Sequence, residues 1–258
     1  MHTMLIPFAM LAATWPVWQW FAEGSLDASN QSWGWLAAVI AILLMWRRPQ
    51  AATLPVRPLL LPTAWIATYA MATWSAWPMA VRATFACMAL ATWASAMRAG
   101  RRLDLAFCLL LLLALPLAAS LQFYLGYPLR VLAGVISSAL LQAQGLSVIR
   151  DGALLVWGVQ AIAIDAPCSG VNMLWSALLL STTLACARNL DTRRTAIGLL
   201  WAVIVVILAN AVRAAALFYT ESGIISAPAW IHSAIGIMMF TMAALVIAAG
   251  HHKIEMKR

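Results

Sequence analysis

Apolar residues run along this chain in long blocks, and polar positions fall almost entirely between them. A lipid-crossing helix needs about 20 mainly apolar residues. By that measure the blocks at 4–21, 29–46, 59–77, 78–97, 104–125, 168–187, 195–220 and 228–250 predict about eight transmembrane helices. Between the fifth and sixth blocks the pattern breaks, and 126–167 reads as the one longer loop. Inside it, 131–143 is apolar but short for a span, and Gln142, Gln144 and Ser147 follow. The stretch 131–148 is therefore an interfacial or re-entrant helix, or a ninth span. Residues 153–164 read as a short β-like stretch. No repeat or low-complexity tract interrupts the pattern, so 1–258 reads as a single integral-membrane domain.

Composition narrows the class. Hydrophobic residues make up 64% of the 258 and charged residues 9%, against about 45–50% and about 25% in soluble domains. So few charges cannot cover a soluble surface. The composition excludes a soluble globular enzyme, a disordered chain and a disulfide-rich scaffold. It leaves an all-α polytopic membrane protein, because lipid cannot satisfy open backbone groups. The four cysteines include no CxxC pair and no metal-ligand spacing, which argues against a disulfide framework. The first apolar block lacks a basic flank and a small-residue cleavage site, so it reads as a retained helix.

The net charge of +8 raises the question of nucleic acid, and the placement of the charges answers it. Glu23 and Asp27 occupy the first interblock loop, and Arg47, Arg48 and Arg57 the second. Arg98, Arg101 and Arg102 follow the fourth block, Arg188, Arg193 and Arg194 the sixth, and Lys253, Lys257 and Arg258 the last. Twelve of the sixteen basic residues thus fall on one side. Short basic loops stay cytoplasmic. Both termini are expected in the cytoplasm, and the 126–167 loop outside. The excess charge is a topology signal, with no nucleic-acid partner implied. Trp15, Trp33, Trp46, Trp77, Trp93 and Trp230 lie near expected span ends, where indole rings favour the interface.

Few strongly polar groups interrupt the apolar blocks. An ionisable residue there is a functional candidate. Arg213 lies seven residues before Thr220, roughly 10 Å along a helix from the expected outer end. Asn210, three residues earlier, shares its face. Such an arginine also serves to snorkel or to tie helices together. Cys168 stands at the outer start of the sixth block, within Ala166-Pro167-Cys168-Ser169-Gly170. Pro167 suits a first helical turn, and a thiol beside helix amides can have a lowered pKa. Gly170 permits close backbone approach, and Asn172 lies four residues beyond the cysteine. The plain alternative is an inert buried cysteine, the expectation for Cys87, Cys108 and Cys186. His232 begins the eighth block, also at the outer side, where a lone histidine is ordinary. Together, a thiol, an imidazole and a guanidinium suit acyl transfer: proton carriage at the thiol and stabilisation of an oxyanion, or capture of a substrate carboxylate.

Ala166-Pro167-Cys168-Ser169-Gly170, Asn210-Ala211-Val212-Arg213 and His232-Ser233-Ala234-Ile235-Gly236 resemble the exosortase/archaeosortase family. Tyr127-Pro128-Leu129-Arg130 also resembles the segment entering that family's extracytoplasmic loop. The resemblance implies a membrane cysteine transpeptidase with Cys168, Arg213 and His232 as catalytic residues. Asn172, Asn210, Arg130, Ser169 and Gly170 are the expected supporting or substrate-binding residues. It implies exported protein partners that carry a C-terminal sorting motif, a hydrophobic helix and a basic tail. It places the site at the outer face of the cytoplasmic membrane, in contact with lipid. No P-loop, HExxH or CxxCH is present, and no metal or other cofactor is expected. A membrane protease ending in hydrolysis, and a non-enzymatic transporter or helper in envelope polymer export, are the alternatives.

Overall fold

Two prolines decide where the first and fifth apolar blocks break. The computed structural model describes residues 2–26, 33–47, 56–99, 103–228 and 230–256. In it the first block is two helices, α1 (His2–Ala13) and α2 (Trp15–Leu26). Pro16 offers no amide donor and crowds the preceding turn. Thr14, between the helices, donates its hydroxyl to Met10 O at 2.8 Å and accepts from Trp18 Nε1 at 2.9 Å. The fifth block breaks likewise after α6 (Leu105–Ala114), where Leu115 is extended at φ −64°, ψ 144°. Pro116 disfavours a helical conformation in the residue before it. The chain then enters α7 (Ala118–Ala143), which runs through most of the apolar stretch assigned to a loop.

The remaining helices are α3 (Gly34–Arg47), α4 (Val56–Trp74), α5 (Met79–Ala94), α8 (Val171–Ala187), α9 (Thr192–Glu221) and α10 (Trp230–Met256). A π-helical turn, Ser95–Ala99, extends α5. Among the described residues four helices are long and apolar enough to cross a membrane: Met79–Met97, Ala118–Ala143, Thr192–Glu221 and Trp230–Met256. This corrects the expectation of about eight. α3 has 14 residues and α6 has 10, about 21 Å and about 15 Å against a hydrocarbon core of about 30 Å, while α8, with 17, stands at the short limit for a crossing at about 26 Å. α4 has 19 residues, but Arg57, two prolines and several hydroxyl side chains dilute its apolar character. The class is unchanged: an all-α, multi-pass membrane protein, here with one small sheet. Asp27, Ser29, Arg48, Arg101, Arg102, Lys257 and Arg258, used above for spans and charge bias, lie outside the described residues.

The chain forms two compact units, Met1–Ala118 with Thr182–Thr195, and Ala119–Ser181 with Ala196–Arg258. In the first, alanines make one face of α5 thin enough for close packing. Ala83, Ala86 and Cys87 are buried with Val17, Tyr69 and Leu115. Asp104 caps α6 by accepting from Phe107 N at 3.1 Å, the usual service of an aspartate at this position.

The second unit carries the sheet. Strands β1 (Ile149–Asp151), β2 (Leu154–Trp157) and β3 (Gln160–Ala163) pair antiparallel in the order β1-β2-β3. Leu155 and Ile164 are buried against Ala133 and Leu141 of α7 and Ala214, Ala215 and Phe218 of α9. Trp157 meets Phe218 edge-on at 6.2 Å. A second cluster joins Met173 and Ala177 of α8 to Ala202, Val205 and Val206 of α9 and Ala243 and Ile247 of α10. These two clusters fix the C-terminal part of α9 and the start of α8, where the polar candidates stand.

Candidate active site

The cysteine does not belong to α8. Ala166–Cys168 form a 3₁₀ turn, with Cys168 N donating to Asp165 O at 2.9 Å and Ser169 N to Ala166 O at 3.1 Å. Gly170, at φ +84°, then swings the chain into the helix. Only glycine adopts this conformation without cost, and a side chain there would also collide with Asn210, a Cβ lying 2.9 Å from Asn210 Nδ2. That amide donates to Cys168 O at 3.1 Å. From the other side Gln122 of α7 donates to Ala166 O at 3.4 Å and accepts from Ser169 Oγ at 3.2 Å. The turn is thus held by two amide side chains from two helices.

His232, in the first turn of α10, places Nε2 3.7 Å from Cys168 Sγ. Its Nδ1 lies 3.2 Å from Oε1 of Glu221, the last residue of α9. An ionised carboxylate only accepts hydrogen bonds, so this contact puts the hydrogen on Nδ1 and turns the Nε2 lone pair to the sulfur. Burial pushes the Cys168 thiol up from its ordinary value; the Arg213 charge offsets part of this, while Asp165 and Glu221 reinforce it. The expected lowering by helix amides is therefore overturned. The cysteine precedes the helix and sits in a partly desolvated site.

Arg213 is half-buried, with Nε unpartnered among the described residues. Its guanidinium packs along Gly236 of α10, where a Cβ would stand in ordinary contact at 3.4 Å from an Arg213 terminal nitrogen. Asn210 is 4% exposed, and its Oδ1 also lacks a partner among the described residues. An open cavity of about 700 Å³, lined mainly by apolar residues of α7, α9 and α10, includes Val212 and Ile231, chain neighbours of Arg213 and His232.

The family model described as Transmembrane exosortase (Exosortase_EpsH) matches residues 20–249. The chain belongs to the exosortase family. No curated protein and no solved structure matches it. Family membership is consistent with a membrane-associated sorting enzyme and with inner-membrane localisation.

Within this exosortase the structure brings Cys168, His232, Ser169, Gly170 and Asn210 together, with the Arg213 charge in electrostatic reach of the thiol. Asn172 is exposed on the first turn of α8, with no side-chain bond to the cysteine turn among the described residues. Arg130 is engaged on its own helix, donating to Gly126 O at 3.3 Å and lying 5.7 Å from the Tyr127 ring centre. Two residues of the site were not singled out by sequence. Glu221 carried a faint signal, as an acid alone in the otherwise uncharged stretch between the last two apolar blocks. Gln122 carried none. Among the described residues no three His, Cys, Asp or Glu side chains cluster as a metal site requires.

Proposed function

We propose that this exosortase processes exported proteins bearing a C-terminal sorting signal, through a Cys168 acyl-enzyme, at the outer face of the cytoplasmic membrane. The observation carrying this reading is the relay of Glu221, His232 and Cys168, with 3.2 Å and 3.7 Å between successive members. The raised thiol pKa fits a resting neutral thiol, so proton removal falls to His232 rather than to a preformed ion pair. Nε2 takes the thiol proton as sulfur attacks the scissile carbonyl. Arg213 stabilises the oxyanion or orients the substrate. The carbon–nitrogen bond then breaks, the imidazolium returns the proton to the departing amine, and a thioester remains. An incoming amine attacks the thioester, gives its proton to His232, and restores the thiol as a new amide forms. The basic bias of the short loops supports an extracytoplasmic site.

Hydrolysis is the second reading, favoured by one feature: the His232 side chain is 43% exposed, and water can reach the imidazole. The two share the acyl step and differ in product. Cells carrying Cys168→Ala should accumulate a full-length exported protein that wild-type cells shorten. Incubating that protein with the purified enzyme and a candidate amine should give a new amide. A free carboxylate alone supports hydrolysis. Shortening by Cys168→Ala contradicts both.

A further inference from the structure

The three-stranded sheet has two unlike edges. β1 is Ile149-Arg150-Asp151, with charges on its rim, whereas β3 is Gln160-Ala161-Ile162-Ala163, uncharged and small. Proteins usually guard an exposed strand edge with charge, proline or a bulge. β1 is guarded in this way and β3 is not. The direction of the β3 backbone follows from its pairing. Ile164 N donates to Ala153 O at 3.0 Å, so Ile164 faces β2. Antiparallel pairing alternates along a strand, so Ile162 and Gln160 face β2 as well, and Ala161 and Ala163 turn their N–H and C=O outward. Both alanines are exposed, and among the described residues no group bonds to them from the open side. Ile162 packs on the core around Phe218, which holds the edge in place.

This edge leads directly to the nucleophile. Cys168 lies five positions after Ala163, at most about 18 Å of chain. We infer that the open edge of β3 binds the exported substrate as an added strand, pairing with an extended segment beside the scissile bond. This rests on the acyl-enzyme reading above and adds where the peptide lies. Strand addition draws affinity from main-chain hydrogen bonds. The occupant is thus an extended, non-helical peptide whose N–H groups are needed at every second position, with N-substituted residues tolerated between them.

The probe is a synthetic peptide copying about 20 residues before the hydrophobic tail of the exported protein that accumulates in Cys168→Ala cells. Its backbone amides are N-methylated one at a time, and KM is measured with the full-length wild-type protein in lipid. A two-residue alternation in KM is expected, each sensitive position weakening by about five- to tenfold. Ala161→Pro and Ala163→Pro remove the outward donors at positions where an edge strand accepts proline. Each should raise KM by a similar factor while leaving labelling of Cys168 by a small thiol reagent unchanged. Arg150→Pro is the control. Leu155 faces β3, so its partner Arg150 points off the opposite edge, and KM should stay within about twofold. A flat N-methyl scan, or unchanged KM in both β3 variants with the adduct still forming, overturns the docking edge and leaves the acyl-enzyme reading standing. If wild-type enzyme forms no Cys168 adduct with the peptide, the acyl-enzyme reading fails and the docking edge fails with it.

Discussion

Cys168 sits among opposing charges, and their balance can be read through its reactivity. Arg213 lowers the thiol pKa, and Glu221 and Asp165 raise it, on top of the larger effect of burial. Arg213→Ala should therefore move the pH profile of Cys168 alkylation upward. Glu221→Gln should move it downward, because a negative charge facing the thiolate is gone. The same Glu221→Gln change should nevertheless slow processing, since the carboxylate also sets the His232 tautomer. A more reactive thiol in a slower enzyme separates orientation from simple acidity. Parallel shifts in the two variants would contradict this arrangement. His232→Ala should cost about 10²–10⁴-fold in rate, measured by substrate shortening at matched protein level. Sequence alone could single out Cys168, Arg213 and His232 because hydrocarbon makes polar groups costly, so each stands out against its block. Glu221 stood in a loop, where an acid is ordinary. Its role depends on a partner eleven positions along the chain and on the turn that brings α10 back toward α9.

At the scale of elements, hydropathy reports which residues lipid or core will accept, but not where a helix stops. The block at 104–125 is continuous in hydropathy and interrupted in backbone, because Pro116 imposes an extended Leu115. The reverse holds at Pro128, which lies inside α7 without ending it. Runs of apolar residues therefore overcount spans and misplace their ends. The close approach of elements is likewise invisible without partners. Gly198 on α9 leaves room for the His251 ring of α10, a Cβ there lying 2.5 Å from its Cε1. That ring is fully buried, with Nε2 2.8 Å from Ser181 Oγ on α8. Gly198→Ala should destabilise the protein by about 1–3 kcal/mol through overpacking. Gly170→Ala should cost at least about 1–2 kcal/mol for its left-handed backbone and should also displace the cysteine turn. Thermal unfolding in detergent tests both. Gly170→Ala alone should reduce Cys168 adduct formation in the protein that remains folded.

For the whole molecule, charge placement carries the orientation. The basic residues at 188, 193 and 194 and the tail lysines favour the cytoplasm, so a reporter after Arg194 should read cytoplasmic and one near Gly152 extracytoplasmic. Cytoplasmic labelling at Gly152 would put the sheet, and the cysteine turn it leads to, on the wrong side for exported substrates. Family membership and membrane class were accessible from the chain itself, since motif order and composition survive errors in span number. The site's internal geometry was not, because it is made by α7, α9 and α10 converging on a turn outside any helix. Acyl transfer by this exosortase requires covalent attachment at that turn. Mass spectrometry of the peptide containing residue 168, after quenching wild-type enzyme with its accumulated exported substrate, tests it most directly. An acyl group on Cys168, absent from Cys168→Ala and scarce in His232→Ala, is the predicted result. Substrate shortened by the Cys168→Ala protein, with no modified residue 168 in the wild type, would contradict it.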